Sequence, residues 1–169
     1  MPIARPPGGG GAGGGGVGGG TGTLITSSTT IPETQTVIDP ETGEEIEIPV
    51  VFGAGKAVCL VLNAEDDEEF QLCSSHVETG NPSMFLGFQV NDISGGGRPI
   101  VMTMRGTQIS DPQVTDDEDL VPGEDVYLSH VAGEVTHEPS EDEGYVELRV
   151  GFAVATDKMI LSNDVRIKM

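Results

Sequence analysis

The sequence predicts an all-β fold, a small β-barrel or β-sandwich that carries an extended, glycine-rich arm at its N-terminus. Two observations support this class. No segment keeps apolar residues at the spacing of an amphipathic helix, and short β-prone runs alternate with Gly, Pro, Asn and Asp along most of the chain. A length of 169 residues leaves room for one hydrophobic core and an arm. We therefore assign residues 1–30 to the arm and residues 31–169 to a β domain.

The arm is the first element. Residues 8–22 are glycine except at three positions, and because glycine loses the most backbone entropy on ordering, this segment is not expected to fold by itself. Two interpretations stay open: a flexible tether, or an extended segment that lies against a partner. Residues 24–38 are rich in Thr and Ile and contain Pro32, which favours further extended segments rather than a helix.

The β domain follows as a series of short segments bounded by turn residues. Residues 45–50 alternate polar and apolar side chains as a half-buried strand does, and Pro49 favours an edge position in a sheet. The apolar run 57–62, the acidic turn after it and residues 70–73 form a hairpin pattern. The other candidate strands are 84–90, 100–104, 125–129, 133–136, 145–154 and 158–167.

Two parts of the β domain share the same order of features. Gly-Lys-Ala-Val-Cys-Leu at 55–60 is similar to Gly-Glu-Asp-Val-Tyr-Leu at 123–128, and Leu-Gly-Phe-Gln-Val at 86–90 is similar to Val-Gly-Phe-Ala-Val at 150–154. The spacing differs by a few positions, which one hairpin loop can absorb. We infer two similar β units, 51–110 and 120–169, joined by an acidic connector. Coincidence stays open, because glycine followed by β-prone residues is common in strands.

Strand alternation assigns side chains to faces in the C-terminal unit. Val126 and Leu128 are expected on one face of their strand and Tyr127 on the other. Phe152 and Val154 are expected on the core face of the following strand. None of these positions requires a chemical role.

The net charge is −20, from 28 acidic and 8 basic residues. A surface this negative repels phosphate backbones and anionic lipids, so we expect neither nucleic acid nor membrane as a partner. The sequence has no apolar run long enough for a signal peptide or a membrane span, which favours synthesis in a cytosol-like compartment. An abundant protein that coats a larger assembly fits this composition.

Side chains able to bind metals or perform catalysis do not occur in recognisable patterns. His76, His130 and His137 have no partner at metal-ligand spacing, and the acidic runs 65–69 and 116–119 lack the spacing of a calcium loop. We expect solvated turns there. Two cysteines, Cys59 and Cys73, are too few for a disulfide scaffold and are expected to be reduced core residues.

No cofactor or catalytic residue is assigned. The glycine-rich arm is not followed by the Lys-Ser or Lys-Thr of a phosphate-binding loop, and no Ser or Cys lies in a nucleophile-elbow pattern. The sequence therefore predicts a protein that is not an enzyme.

The C-terminal third resembles a pattern of tailed-bacteriophage virion proteins. The matching residues are Pro-Gly-Glu-Asp-Val-Tyr-Leu-Ser at 122–129, Ala-Gly-Glu-Val-Thr at 132–136 and Leu-Arg-Val-Gly-Phe-Ala at 148–153. This pattern occurs in capsid decoration (cement) proteins and in head or tail fibre proteins, and here it spans about 120–169, with a weaker copy reaching back to about residue 51.

The resemblance implies a small β module displayed on a virion. The implied function is a phage capsid decoration protein that binds the outer capsid surface and stabilises the particle. Its implied partners are the major capsid protein or another virion protein, together with further copies of itself, a trimer being favoured. A head-fibre, neck or tail-fibre adaptor protein is the first alternative and a carbohydrate-binding module the second.

Overall fold

The computed structural model describes residues 24–27, 30–38, 43–62, 65–103, 105–162 and 167–168. Secondary structure in these residues is almost entirely strand, with two short 3₁₀ turns at Pro82–Met84 and Thr115–Asp117. The predicted all-β class is therefore confirmed. The glycine-rich segment 8–22 lies outside the described residues. No helix in the described part of the chain is long and apolar enough to cross a membrane. The strands are β1 (Leu24–Thr26), β2 (Thr34–Ile38), β3 (Glu45–Pro49), β4 (Val51–Phe52), β5 (Ala57–Leu62), β6 (Glu68–Leu72), β7 (Phe85–Gln89), β8 (Ile93–Ser94), β9 (Ile100–Met102), β10 (Gln108–Ser110), β11 (Asp125–Leu128), β12 (Val135–Thr136), β13 (Glu147–Ala155), β14 (Lys158–Leu161) and β15 (Ile167–Lys168).

Two antiparallel sheets form the body of the protein. The N-terminal sheet has the strand order β1-β9-β7-β5-β6, and the C-terminal sheet has the order β10-β14-β13-β11-β12, with β15 paired to β13. Two small ribbons, β2-β3 and β4-β8, complete the described part. Pro49 lies at the end of β3, which among the described residues pairs only with β2, so the proline occupies an edge strand, where its missing N–H breaks no ladder.

The sheets pack face to face as a sandwich. Side chains from one face of each sheet, among them Phe88 from the N-terminal sheet and Leu148 and Met159 from the C-terminal sheet, form the main hydrophobic core. The opposite face of the N-terminal sheet is also covered. Ile31 and Phe52 pack there with Val58 and others as a second core.

The two sheets repeat the same arrangement of strands. Reading inward from the β6 and β12 edges, each sheet contains a hairpin, then the strand that follows the hairpin in sequence, then a fourth strand. Val58 lies opposite Gly87 in the N-terminal sheet, and Val126 lies opposite Gly151 in the C-terminal sheet. The register shifts by one residue immediately after each of these valines, so each sheet contains a β-bulge at the same place.

Turn hydrogen bonds repeat as well. Gly55 donates its N–H to the Gln89 carbonyl at 2.9 Å, and Gly123 donates its N–H to the Ala153 carbonyl at 2.9 Å. Both glycines have positive φ, 77° and 93°, a conformation that side-chain-bearing residues adopt only at a cost. The stretches that are similar in sequence therefore occupy matching places in the two sheets.

The expectation that Phe152 and Val154 lie on the core face of β13 is wrong. Phe152 is 37% exposed and Val154 is 43% exposed, whereas Leu148, Val150 and Ala153 are buried in the main core. The bulge is the physical reason. Because it adds one residue to β13 near Val150, the in-and-out alternation reverses beyond that point and turns Phe152 and Val154 outward. The expectation for β11 is confirmed, since Val126 and Leu128 are buried in the main core.

Two parts of the fold differ from the sequence interpretation. Residues Leu24–Thr26, placed in the arm by the sequence analysis, form edge strand β1 and pair with Ile100–Met102 of β9. Strands β4, β8 and β10 were not predicted, because two or three residues with one or two apolar side chains are too short a pattern to distinguish from a loop.

Candidate docking groove

An open groove of about 790 Å³ lies beside the start of β13. Two segments line it: the turn that follows β6, which ends in the 3₁₀ turn at Pro82–Met84, and residues 139–147, which are the loop before β13 and the first residue of that strand. Its apolar lining comes from Val77, Pro82, Pro139, Tyr145 and Val146. We call this feature the Tyr145 groove. Its shape suits an inserted side chain or a short peptide segment.

Backbone hydrogen bonds hold the two segments together. Val77 donates its N–H to the Gly144 carbonyl at 2.8 Å, and Val146 donates its N–H to the Ser75 carbonyl at 2.9 Å. Between them, His76 and Tyr145 form an isolated antiparallel bridge. A frame of paired backbone groups keeps the groove preformed, and a preformed site loses less entropy on binding.

An aromatic cluster lies at one side of the groove. The His76 ring packs edge-on against Tyr145 with ring centroids 5.0 Å apart, and His130 does so at 6.4 Å. The Nδ1 atom of His76 accepts hydrogen bonds from the backbone N–H groups of Glu78 and Thr79, both at 3.3 Å. These contacts fix the orientation of His76, and its ring in turn supports the Tyr145 side chain.

Carboxylates dominate the charge of the groove. Glu141, Asp142, Glu143 and Glu147 line it, and no Lys or Arg is among its lining residues. The Ser140 hydroxyl donates to an oxygen of Asp142 at 3.4 Å. An apolar surface edged by negative charge attracts a basic partner that also carries apolar groups, and it repels phosphate.

The outward face of the C-terminal sheet is the second exposed feature. Phe152 and Val154 lie on it, with Ile160 and Tyr127 half-buried beside them. Burial and the carboxylates of Asp125 and Glu147 raise the pKa of Tyr127. We call this surface the outer face.

The third histidine, His137, has a structural role. Its Nε2 accepts a hydrogen bond from the Val121 backbone N–H at 2.8 Å, which places the neutral ring's proton on Nδ1. That nitrogen then donates to the Asp125 carbonyl at 2.8 Å. His137 thus fastens the turn before β11 to the end of β12.

The cysteines lie where the sequence analysis placed them, in the core. Cys59 and Cys73 are both free and buried, and the Cys73 thiol donates to the Asn81 carbonyl at 3.6 Å. A hydrogen bond with Cys59 and burial together raise the pKa of the Cys73 thiol far above its usual range. A thiol held in its protonated form is a poor nucleophile.

The acidic runs form exposed turns. Residues 65–68 and 116–119 are exposed, and Asp66, Asp116 and Asp117 adopt positive φ, which short polar side chains tolerate better than most residues. In the part of the chain that the structure describes, no three His, Cys, Asp or Glu side chains come together as a possible metal site.

Sequence reasoning did not find the groove. Its two segments are distant in sequence and meet only because residue 76 pairs with residue 145. The Pro-Ser-Glu-Asp-Glu-Gly run before Tyr145 is typical of a surface loop. That signal identifies the loop but not its neighbour.

Comparison of the chain with protein families, with curated proteins and with solved structures finds no match. The fold and the groove therefore define the class by themselves: an all-β sandwich protein with a preformed acidic groove and an exposed apolar sheet face.

Proposed function

We propose that this chain is a non-catalytic decoration protein of a tailed-bacteriophage capsid, which binds the outer capsid surface and stabilises the particle. The observation that carries the proposal is the Tyr145 groove, where an apolar lining and four carboxylates form one preformed surface. The resemblance of residues 120–169 to virion proteins gives the context.

The charge of the groove restricts the partner. The chain carries a net charge of −20, so a partner must supply positive charge to offset the repulsion between copies that bind close together. Nucleic acid does not meet this requirement, because its phosphates are negatively charged. A basic segment of the major capsid protein satisfies the requirement, and its apolar side chains would contact Val77, Pro139 and Tyr145.

The position of the groove suits a docking role. It is formed by loops on a rigid frame, because both of its segments are hydrogen-bonded to each other next to the sandwich core. Tyrosine is among the residues that contribute most to the free energy of protein–protein binding when they are buried at an interface. We therefore infer that Tyr145 is the main apolar contact and that the carboxylates steer the approach.

The function can be tested with purified protein and undecorated capsids. The expected result is saturable binding at a fixed number of copies per capsid, followed by resistance of the particle to heat or osmotic shock. Binding only to tails, or to no particle, contradicts the proposal. Tail binding would support the alternative of a fibre, neck or adaptor protein.

The groove can be tested separately. Glu141→Lys with Glu143→Lys should weaken capsid binding and reduce its dependence on salt, because the two lysines repel a basic segment. Glu118→Lys with Asp119→Lys changes the total charge equally at exposed carboxylates outside the groove and is the matched control. Equal weakening by both pairs would contradict a role for the groove.

A carbohydrate-binding module is the second candidate, and one observation favours it. Tyr145 lies among carboxylates in the groove, and aromatic rings beside polar groups are usual in sugar sites. Binding to a glycan array that Tyr145→Ala abolishes would favour this function over capsid decoration.

A further inference from the structure

We propose that the outer face of the C-terminal sheet is a self-association surface that pairs with the same face of a second copy of this chain. The inference specifies an interface for the oligomer that accompanies the proposed function. It rests on the internal repeat of the fold, and it is tested without any capsid.

The outer face has a defined cross-strand order. Gln108 on β10 lies opposite Ile160 on β14, Ile160 lies opposite Phe152 on β13, and Phe152 lies opposite Asp125 on β11. Phe152 is 37% exposed. An aromatic ring and a branched aliphatic side chain thus lie side by side at the middle of the sheet.

The repeat shows what covers the matching face of the N-terminal sheet. Phe88 occupies there the place of Phe152, because Phe88 lies opposite Ala57 and Met102 as Phe152 lies opposite Asp125 and Ile160. Phe88 is only 1% exposed, since the C-terminal sheet packs over it. The face of the N-terminal sheet that carries Phe88 is therefore covered by the C-terminal sheet. The matching face of the C-terminal sheet, which carries Phe152, is left open.

Among the faces of the two principal sheets, one remains uncovered in the described part of the chain. The main core occupies one face of each sheet, and Ile31, Val50 and Phe52 cover the second face of the N-terminal sheet. A second copy can therefore offer a sheet face only by presenting its own outer face. A contact between identical faces is twofold-symmetric, so a dimer, rather than the trimer favoured by the resemblance, is the expected species in solution.

The charge of the outer face permits this contact. Arg149 forms an ion pair with Asp125 at 2.7 Å, and Lys158 forms one with Asp157 at 3.5 Å. With Glu147, which lies near Tyr127, these residues give the face two cations against three carboxylates, in a chain whose net charge is −20. Two copies can then approach through it with less repulsion than through surfaces lined by unbalanced carboxylates.

The test is sedimentation velocity of the full chain over a range of concentrations in buffer of physiological ionic strength. The wild-type protein should show a concentration-dependent monomer–dimer equilibrium. Phe152→Glu should raise the dimer dissociation constant about 100-fold, because it puts a charge at the centre of the interface. Leu62→Glu is the matched control, since Leu62 is 64% exposed at the end of β5 in the N-terminal sheet, and it should leave the equilibrium unchanged.

Circular dichroism of both variants checks that they fold, which is expected because both side chains are exposed. A protein that stays monomeric at every concentration, that forms trimers, or whose dimer Phe152→Glu leaves intact overturns the inference. If the wild-type protein is monomeric and Phe152→Glu abolishes its capsid binding, the outer face binds the capsid and not a second copy. If the protein forms the expected dimer but does not bind undecorated capsids, the proposed function is overturned and the self-association surface is not.

Discussion

Gly87 and Gly151 occupy matching places in the two principal sheets, each opposite a buried valine and each beneath a backbone carbonyl oxygen that leaves no room for a Cβ atom. The oxygen belongs to Met102 in the N-terminal sheet and to Ile160 in the C-terminal sheet. Close backbone approach at the same point of both β-bulges is therefore a shared requirement of the two halves of the fold.

Replacing either glycine should be costly. Gly87→Ala and Gly151→Ala are each expected to lower the free energy of unfolding by about 3 kcal/mol, because the new methyl group collides with a neighbouring strand's backbone. Urea denaturation followed by circular dichroism measures the effect. Gly96→Ala is the control. Gly96 has φ of 77° with nothing within 4 Å of a Cβ, so it should lose only about 1 kcal/mol. Equal losses at all three positions would contradict the close approach.

The two sides of β13 should respond differently to truncation. Leu148 is 1% exposed and Val154 is 43% exposed. Leu148→Ala is expected to lower the free energy of unfolding by about 3 kcal/mol, because it leaves a cavity in the main core. Val154→Ala should change it by less than about 0.5 kcal/mol. Measurements at low protein concentration keep self-association from contributing to the free energy. A larger loss at Val154 would mean that Val154 lies on the core face of β13, as strand alternation alone predicts.

That difference shows what the sequence could predict. The all-β class and most strands follow from turn residues and short β-prone runs, which are local signals. The orientation of Phe152 does not, because it depends on the extra residue in β13 opposite the step from Val126 to Tyr127, which no local residue pattern marks. The Tyr145 groove depends on the pairing of residues 76 and 145, a contact of the tertiary structure. Strand β1 likewise forms because β9 offers it an edge, although its own sequence is short.

Stability should fall at alkaline pH because of Cys73. The pKa of its thiol is raised in the folded state by the hydrogen bond with Cys59 and by burial, whereas the same hydrogen bond lowers the pKa of Cys59. An unfolded chain ionises both thiols near pH 8.5. The contribution of Cys73 is therefore complete below about pH 8.5 and decreases as the pH rises above it, while Cys59 contributes with the opposite sign. Thermal or urea unfolding between pH 7 and pH 10 measures the slope. Cys73→Ala should reduce that slope, and an unchanged slope would contradict the buried thiol as its source.

Thiol reactivity gives an independent check on the same pair. In the folded protein, Cys59 and Cys73 are buried, so iodoacetamide at pH 8 should modify neither of them over a period in which urea-unfolded protein is modified at both. Mass spectrometry counts the modified residues. Rapid modification of the folded protein would show that the core around the two cysteines opens readily.

The ion pair between Lys56 and Glu134 should contribute measurably to stability. Its N–O distance is 3.1 Å and the two side chains are 21% and 20% exposed, so water screens the pair less than it screens a fully exposed one. It joins the turn before β5 to the hairpin between β11 and β12, where Gly133 also donates its N–H to the Cys73 carbonyl at 2.7 Å. A double-mutant cycle with Lys56→Met and Glu134→Gln should give a coupling free energy of about 1 kcal/mol that decreases with added salt. The same cycle with Lys158→Met and Asp157→Asn should give a value near zero, because those side chains are 41% and 52% exposed. Equal coupling in the two cycles would mean that burial does not determine the strength of these pairs.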